Sequence, residues 1–278
     1  MIRVESRDFG RIESLVEASH AGGHRGVAYA VLEGLQAGVV FVDSLQNPQS
    51  ALVCNYSGFY FTYGTPNSNA FEDFLPELLA NYVTDEATML LAMSPAWEQA
   101  LSPLFEKPFA RAAFEFTPYA PVLSQEWEEQ IPEGFRVVPM DRNITQQIEA
   151  GAGVDPWFLR IVGGGEAYLK QHFGFCVMEG ERLASFCGIC GMGGKEAEME
   201  VGTAPEYRNR GLATLACKPF IVHCLAHGLT PGYTCGEGNN ASASVARKLG
   251  FVPTQTVSCY PLHKSLVKME GRWGFPPD

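Results

Sequence analysis

The sequence predicts an α/β protein with a mixed β-sheet, in which two halves repeat one order of elements. Short runs rich in β-branched and aromatic residues alternate with segments of helical periodicity. After its opening segments, each half follows the order of two or three strands, helix, strand, helix, strand. A stretch with three prolines and an acidic patch separates the halves and suits a linker. We therefore predict domains at residues 1–117 and 133–278, joined by a linker at 118–132.

The first half begins with two short helices between Asp8 and Leu35, which a Gly/His-rich break separates at 20–26. A hairpin follows, because Ser57-Gly58 has turn chemistry between two β-rich runs. A helix at 70–83 carries aromatic and leucine side chains on one face. The other predicted elements of this half are strands at 39–43, 51–56, 58–63, 88–93 and 111–116 and a helix at 95–105.

The second half begins with a strand at 135–139 and continues with helical segments at 141–150, 155–161 and 166–172. A long helix is expected to follow the third of the next strands, and Gly250 is expected to end the last helix. The remaining predicted elements are strands at 173–178, 183–190, 197–203, 231–235 and 254–260 and helices at 211–226 and 241–249.

Composition excludes several classes of protein. The chain has 278 residues, of which 46% are hydrophobic, and a formal net charge of -11. No cluster of lysines and arginines could follow a phosphate backbone, so nucleic acid is not expected as a partner. No apolar run approaches the roughly 18 residues that a membrane span needs. We expect no membrane partner and, without a signal-type segment, a cytoplasmic location.

Metal binding is not predicted either. The eight cysteines lie in apolar segments and are expected to be buried free thiols. Cys187 and Cys190 have the spacing of half a zinc site, and His223 and His227 share a helix face. Neither pair has further ligands at a suitable spacing, so packing is the preferred interpretation of both.

The stretch from Glu198 to Ala213 carries the strongest functional signal. It begins as a strand, turns at Ala204-Pro205 and enters a helix at Gly211. Glycine lets backbone approach a ligand closely, and the free amides of a helix start favour anionic phosphates. Two arginines, at 208 and 210, add donors for phosphate oxygens. We interpret residues 208–213 as a pyrophosphate cradle. The corresponding stretch of the first half, 63–70, lacks this pattern, so only the second half is expected to bind a cofactor.

The order of strand, Ala-Pro turn, cradle, long helix, strand, Asn239 and Lys248-Leu-Gly-Phe251 resembles the GNAT acyl-CoA N-acyltransferases. The resemblance covers about Phe135 to Tyr260. Further details, such as Glu200-Val-Gly-Thr203, look like the bacterial branch related to zwittermicin A resistance acetyltransferases. In the first half Asn47-Pro-Gln-Ser-Ala51 also looks similar to that branch. The resemblance implies a GNAT fold in the second half, preceded by a degenerate GNAT-like domain without a cradle.

This resemblance implies that acetyl-CoA is the co-substrate and that a primary amine of a small molecule attacks its thioester directly. A homodimer is one option for the assembly. Whether Asn239 or Asn240 occupies the family position stays open. The residues that the resemblance assigns to the cofactor are Val201, Gly202, Thr203, Arg208, Asn209, Arg210, Gly211, Leu212, Ala213, Asn239 and Ser242.

Catalysis of this kind needs a group that takes a proton from the amine. Glu200 matches a strand position that is often acidic in the family and is our first candidate, followed by Glu198 and then Glu237. The alternative interpretation is that these carboxylates form the solvated face of an alternating strand.

The family's usual proton donor to the thiolate is a tyrosine, and Ala246 stands at that position. Ser242, Tyr233 or Tyr260 could replace it, or the thiolate could leave unassisted. Two functional alternatives follow: a sensor that binds acetyl-CoA without catalysis, and an acetyltransferase whose acceptor is a protein amine.

Overall fold

The computed structural model describes residues 1–19, 24–83, 88–117, 127–269 and 271–274 of the chain. Parts of the predicted Gly/His-rich break and of the predicted linker, at 20–23 and 118–126, lie outside these residues. Helices and strands alternate as the sequence indicates, and the predicted α/β architecture with a mixed sheet is confirmed.

The first half contains each of the predicted elements, and local capping explains where two of its helices begin. The side chain of Ser94 accepts a hydrogen bond from the Trp97 amide at 3.2 Å, and proline follows at the first helical position. Asn67 caps the preceding helix in the same way. The elements are β1 (Ile2–Arg3), α1 (Glu13–Glu17), α2 (Arg25–Leu32), β2 (Gly38–Val42), β3 (Ser50–Asn55), β4 (Phe59–Gly64), α3 (Ser68–Asn81), β5 (Thr88–Ala92), α4 (Pro95–Leu101) and β6 (Phe109–Phe116).

The second half repeats this order. Its elements are β7 (Phe135–Pro139), α5 (Arg142–Glu149), α6 (Trp157–Arg160), α7 (Gly165–Gln171), β8 (Phe175–Glu179), β9 (Arg182–Gly193), β10 (Glu196–Thr203), α8 (Leu212–Ala226), β11 (Thr230–Gly236), α9 (Asn240–Lys248), β12 (Phe251–Leu262), β13 (Val267–Met269) and β14 (Arg272–Gly274). The sequence did not predict β1, the small β13–β14 hairpin, or the 3-10 turns at 6–12, 127–130 and 205–207.

Twelve of the described strands form one sheet, in the order β1-β2-β3-β4-β5-β12-β6-β11-β10-β9-β8-β7. The two halves exchange their last strands in this sheet. Strand β6 of the first half pairs with β11, and β12 of the second half pairs with β5; β6 and β12 also pair with each other, all antiparallel. The exchange brings residues of β6 next to the open end of β11.

Helix α2 of the first half packs on β9 of the second half. A Cβ at Gly193 would lie 2.7 Å from the Ala30 amide nitrogen, and a Cβ at Gly191 would lie 2.7 Å from the Val27 Cα. Real side chains cannot approach so closely, so these glycines permit the contact. The start of α2, at His24, therefore lies beside the carboxyl group of Glu198 on β10, where the His24 amide and Glu198 Oε2 are 3.4 Å apart.

Candidate active site

The parallel strands β10 and β11 separate partway along their length. They pair from Glu196 to Glu198, opposite Thr230 to Gly232, and no pair follows in the described residues. On its other side β10 pairs with β9 as far as Thr203. The edge of β10 after Glu198 therefore presents unpaired backbone groups to the space between the strands, and such groups need a partner from water or a ligand.

Helix α8 begins without a side-chain cap. Its N-cap, Gly211, has φ +79°, and no side chain accepts a hydrogen bond from the first amides. Asn209 also has a positive φ, of 61°. A Cβ at Gly211 would meet no atom within 4 Å, so this position opens into free space. Free amides at a helix start, next to left-handed backbone, form an anion-binding concavity.

Two arginines flank this helix start. Arg208 is exposed, and its Nε donates to the Thr203 carbonyl at 3.4 Å. The guanidinium of Arg210 lies over the rings of Phe135 and Tyr207, at 4.8 and 5.7 Å from their centroids. Stacking holds Arg210 in place and leaves its planar edge for hydrogen bonds.

The separated strands, the start of α8 and the helix α9 enclose a cleft of about 760 Å³. The residues predicted to bind the cofactor all line it: Val201, Gly202, Thr203, Arg208, Asn209, Arg210, Gly211, Leu212, Ala213, Asn239 and Ser242. Glu200 and Tyr233 line it as well, whereas Glu198 and Glu237 do not.

Glu200 lies where β10 leaves β11 and is partly exposed to the cleft. Burial among protein atoms raises the pKa of its carboxyl to about 7. A side-chain hydrogen bond from Trp157 and the charge of Arg111 oppose this rise, whereas Asp155 and Glu198 add to it. A carboxyl with a pKa near neutrality can both accept and return a proton at physiological pH.

Glu198 is only 1% exposed, so the interpretation of a solvated carboxylate face is wrong for this residue. The α2 helix of the first half covers the strand there, which the sequence of β10 alone does not reveal. Burial raises the pKa of Glu198 to about 7, against hydrogen bonds from Thr234 and the His24 amide. Its Oε1 atom has no hydrogen-bond partner among the described residues.

Tyr233 and Ser242 form a hydroxyl pair at the cleft, with 2.9 Å between Tyr233 Oη and Ser242 Oγ. Asn239 caps α9 by accepting a hydrogen bond from the Ser242 amide at 3.1 Å, which fixes the position of Ser242. Burial raises the pKa of Tyr233 above its usual range, so its hydroxyl keeps its proton. Tyr260 lies elsewhere, in the core of the first half, with its hydroxyl 3.5 Å from the Glu98 carbonyl oxygen.

Three residues near the cleft received no role from the sequence. Asp155 and Lys248 line the cleft, and Arg111 of β6 contacts Thr234 through a hydrogen bond of 3.2 Å. Lys248 belongs to the Lys-Leu-Gly-Phe pattern, which could have indicated it. Arg111 reaches this region through the strand exchange, for which the sequence carries no local signal.

The geometry fits acetyl-CoA. Uncapped amides and two arginines suit its diphosphate, and the unpaired edge of β10 suits the amide groups of its pantetheine arm. Within the described ranges no group of three or more histidine, cysteine or acidic side chains could hold a metal ion. Among the same residues, no helix is both long and apolar enough to cross a membrane.

Known proteins resemble the chain along most of its length. An N-acetyltransferase of Bacillus subtilis strain 168, YdfB, whose function is uncharacterised, is 29% identical over 241 residues, which are 85% of this chain and 89% of that protein. A GCN5-related N-acetyltransferase-like protein from Streptococcus suis 89/1591 has a similar structure, with a TM-score of 0.69, 22% identity and coverage of 92% of this chain and 98% of that one.

A tandem GNAT protein from the clavulanic acid biosynthesis pathway also shares the fold, with a TM-score of 0.60 at 13% identity, over 95% of this chain and 98% of that one. The family model of the GNAT acetyltransferases matches residues 20–260. Because this match spans both halves, including the cleft, the cradle and the exchanged strands, the chain belongs to the GNAT acetyltransferase family and is an acyltransferase.

Proposed function

We propose that the protein transfers acetyl from acetyl-CoA to a primary amine of a small molecule by direct attack on the thioester. One observation carries the proposal: an uncapped helix start with two arginines opens into the same cleft as a carboxyl with a pKa of about 7. The first feature suits an anionic cofactor and the second suits removal of a proton from an amine.

Bound acetyl-CoA would supply an activated acetyl group. The amides of residues 211–213 and the side chain of Arg208 would hold its diphosphate, and Lys248 adds a positive charge to the same cleft. Backbone groups of Val201 to Thr203 would fix the pantetheine arm and donate to the carbonyl oxygen as charge develops on it.

Transfer forms an N–C bond and breaks a C–S bond, so one proton must leave the nitrogen and one must reach the sulfur. Glu200 is our candidate base, because it faces the cleft at the point where the strands separate. Glu198, in contact with the α2 start and fully buried, is the second candidate and would act through Glu200 or a water molecule.

Ser242 is our candidate for the proton donor to the sulfur, since Ala246 is buried and carries no proton donor. The hydroxyl of Tyr233, 2.9 Å away, orients Ser242 and can pass a proton to it. A thiol with a pKa of about 8.5 is also a tolerable leaving group without assistance.

The test measures acetyl-CoA binding by calorimetry and thiol release with a panel of amines. Binding with release on at least one small amine supports the proposal, whereas binding without turnover on any amine favours the sensor alternative. Zwittermicin A belongs in the panel, because membership in the branch of zwittermicin A resistance acetyltransferases is also only proposed. A peptide with a free N-terminus and a lysine tests the protein-amine alternative.

The division into domains at 1–117 and 133–278, and a homodimer, remain proposals as well. Light scattering after size exclusion tests the dimer. Limited proteolysis tests the boundary: cleavage confined to 118–132 supports it.

A further inference from the structure

The face of the sheet beside Glu200 is built from both halves of the chain. Arg111 of β6 pairs with Gly236 of β11, and its side chain lies on the same face as those of Thr234 and Glu198, because side chains two positions apart share a face. A Cβ at Gly232 would lie 2.1 Å from Glu198 Oε2, which places Glu198 on this face too. One guanidinium and two carboxyl groups thus border the point where the strands separate.

We propose that Arg111 binds a carboxylate of the acceptor, so that the acceptor is a small amine that also carries an acid, as an amino acid does. The inference rests on the proposed function and specifies its substrate class. Arg111 would be the residue that determines specificity, and Glu200 the group that receives the proton of the amine.

The first argument is that Arg111 has unused capacity. It is partly exposed, and no described carboxylate forms an ion pair with it. Its Nη2 donates to Thr234 at 3.2 Å, and its guanidinium lies 5.6 Å from the centroid of Phe59. Further donors on the two Nη groups therefore stay available, and this pair of groups matches the two oxygens of a carboxylate.

The second argument is a cluster of buried polar atoms without partners. Nε of Arg111, Oε1 of Glu198 and Nε2 of His24 lack a hydrogen-bond partner among the described residues. His24 and Glu198 are 2% and 1% exposed, and the His24 amide contacts Glu198. Buried polar groups are normally satisfied, so such a cluster indicates a missing polar partner. The cluster shows that polar groups of both charge types are buried beside the point where the strands separate, next to the partly exposed guanidinium of Arg111.

The third argument is an apolar wall next to these charges. The ring centroids of Phe59, from the first half, and Trp157, from the second, are 6.0 Å apart. Trp157 also lies close enough to Glu200 to lower the pKa of its carboxyl, so the wall adjoins the proposed base. An acceptor with its amine at Glu200 and its carboxylate at Arg111 would place its side chain against these two rings. We therefore expect an apolar or aromatic side chain on it.

The test compares amines that differ only in the carboxylate, such as L-phenylalanine with 2-phenylethylamine and L-leucine with isoamylamine. Wild type should acetylate the carboxylate member of a pair with the higher kcat/KM. In Arg111→Met the ratio within the pair should fall by about 10- to 100-fold, the range for a lost charge-assisted hydrogen bond. If the substitution acted only through the carboxyl groups of Glu198 and Glu200, both members of a pair would slow equally and the ratio would not change. An unchanged ratio would therefore overturn the proposal.

Arg25→Met is the matched control. Arg25 comes from the same contact region between the halves but already pairs with Glu196 at 2.7 Å. Its substitution should leave the ratio unchanged, and an equal fall in both variants would contradict a specific role for Arg111.

A binding measurement makes the result independent of turnover. Calorimetry with CoA-saturated protein should show tighter binding of the carboxylate member in wild type and loss of that difference in Arg111→Met. Equal binding of both members overturns the inference even if an amine without a carboxylate is acetylated. Absence of thiol release with every amine would instead refute the proposed function, and the binding arm would still decide the role of Arg111.

Discussion

The two halves of the molecule differ most clearly in their parallel strand pairs. In the first half β4 and β5 pair from Phe59 to Thr62, opposite Met89 to Ala92. The last paired residue there is a buried threonine, whose hydroxyl donates to the Leu91 carbonyl at 3.0 Å. In the second half β10 and β11 part after Glu198, and a buried carboxyl stands at that point. The same topology is thus closed in one half and open in the other.

The helices that follow β4 and β10 also differ, in whether a side chain caps their first amides. The first amides of α3 are capped by Asn67, whose Oδ1 accepts from the Ala70 amide at 3.2 Å, whereas α8 begins with an uncapped glycine. The first half retains a smaller cleft of about 410 Å³ at the equivalent place, and the carboxyl of Glu98 lines it. Among the described residues that line it there is no arginine or lysine. We therefore propose that the cofactor binds where the fold leaves backbone groups unpaired.

The largest effect is expected from Gly211→Glu. A side chain at φ +79° is strained, and its carboxylate would lie in the anion cradle, so acetyl-CoA binding should be lost. Calorimetry measures this. Gly228→Glu is the matched control, because this glycine ends the same helix, also has a positive φ of 68° and also has free space around it. Unchanged affinity in Gly211→Glu would refute the cradle.

Glu200→Gln should lower kcat/KM by about 10²- to 10⁴-fold, the usual contribution of a general base. Wild-type kcat/KM should rise with pH through an inflection near the Glu200 pKa of about 7, because only the ionised carboxyl accepts a proton. The variant should lack that inflection. A pH profile of the same shape in both proteins would remove Glu200 from the mechanism and make Glu198 the first candidate for the base.

Glu198→Gln tests how far the buried carboxyl at the point where the strands separate lowers the free energy of unfolding. Since folding raises its pKa from 4.5 to about 7, the unfolded chain loses this proton first, and stability falls as pH rises from about 4.5 to about 7, by on the order of 3 kcal/mol in total. At pH 5 the carboxyl is mostly protonated and this cost is small. The free energy of unfolding should therefore shift in favour of the variant between pH 5 and pH 8. Denaturant melts measure it, with exposed Glu129→Gln as the control, and an identical pH dependence in variant and wild type would contradict the burial argument.

The smallest effect is expected from Asn67→Ala, which removes the cap from α3. Loss of an N-cap costs about 1 kcal/mol of stability. The freed amides should not create a second cofactor site, because the strands beside them remain paired and none of the described residues that line the cleft is an arginine or lysine. Thermal melts and the stoichiometry of acetyl-CoA binding check this, and a second bound equivalent would show that capping alone distinguishes the halves.

Local patterns predicted much of this molecule. The strand before residue 204 and the helix that begins after Gly211 could be predicted because turn chemistry, helix starts and strand alternation act over a few residues. The absence of the cradle pattern from residues 63–70 was also predicted, whereas the different pairing of the strands was not. Glu200 could be proposed because its strand position is close in sequence to the cradle.

Long-range features could not be predicted in this way. Nothing in the sequence of β6 indicates that it pairs with β11, so the place of Arg111 beside Glu198 was missed. The burial of Glu198 depends on α2, which lies far away in the chain and contacts β9 through Gly191 and Gly193. A period of two residues shows that a strand has two faces, but it does not show which element covers each face.

The exchange of β6 and β12 has a consequence for biosynthesis. Strand β12 is translated after every other strand of the large sheet, yet it fills the position beside β5. Until it arrives, β5 is an open sheet edge, and β6 has neither of its partners, because both belong to the second half. Open edges promote aggregation, and pairings between distant segments form slowly. We therefore expect the nascent first half to remain incomplete on the ribosome and the two halves to reach the native state together.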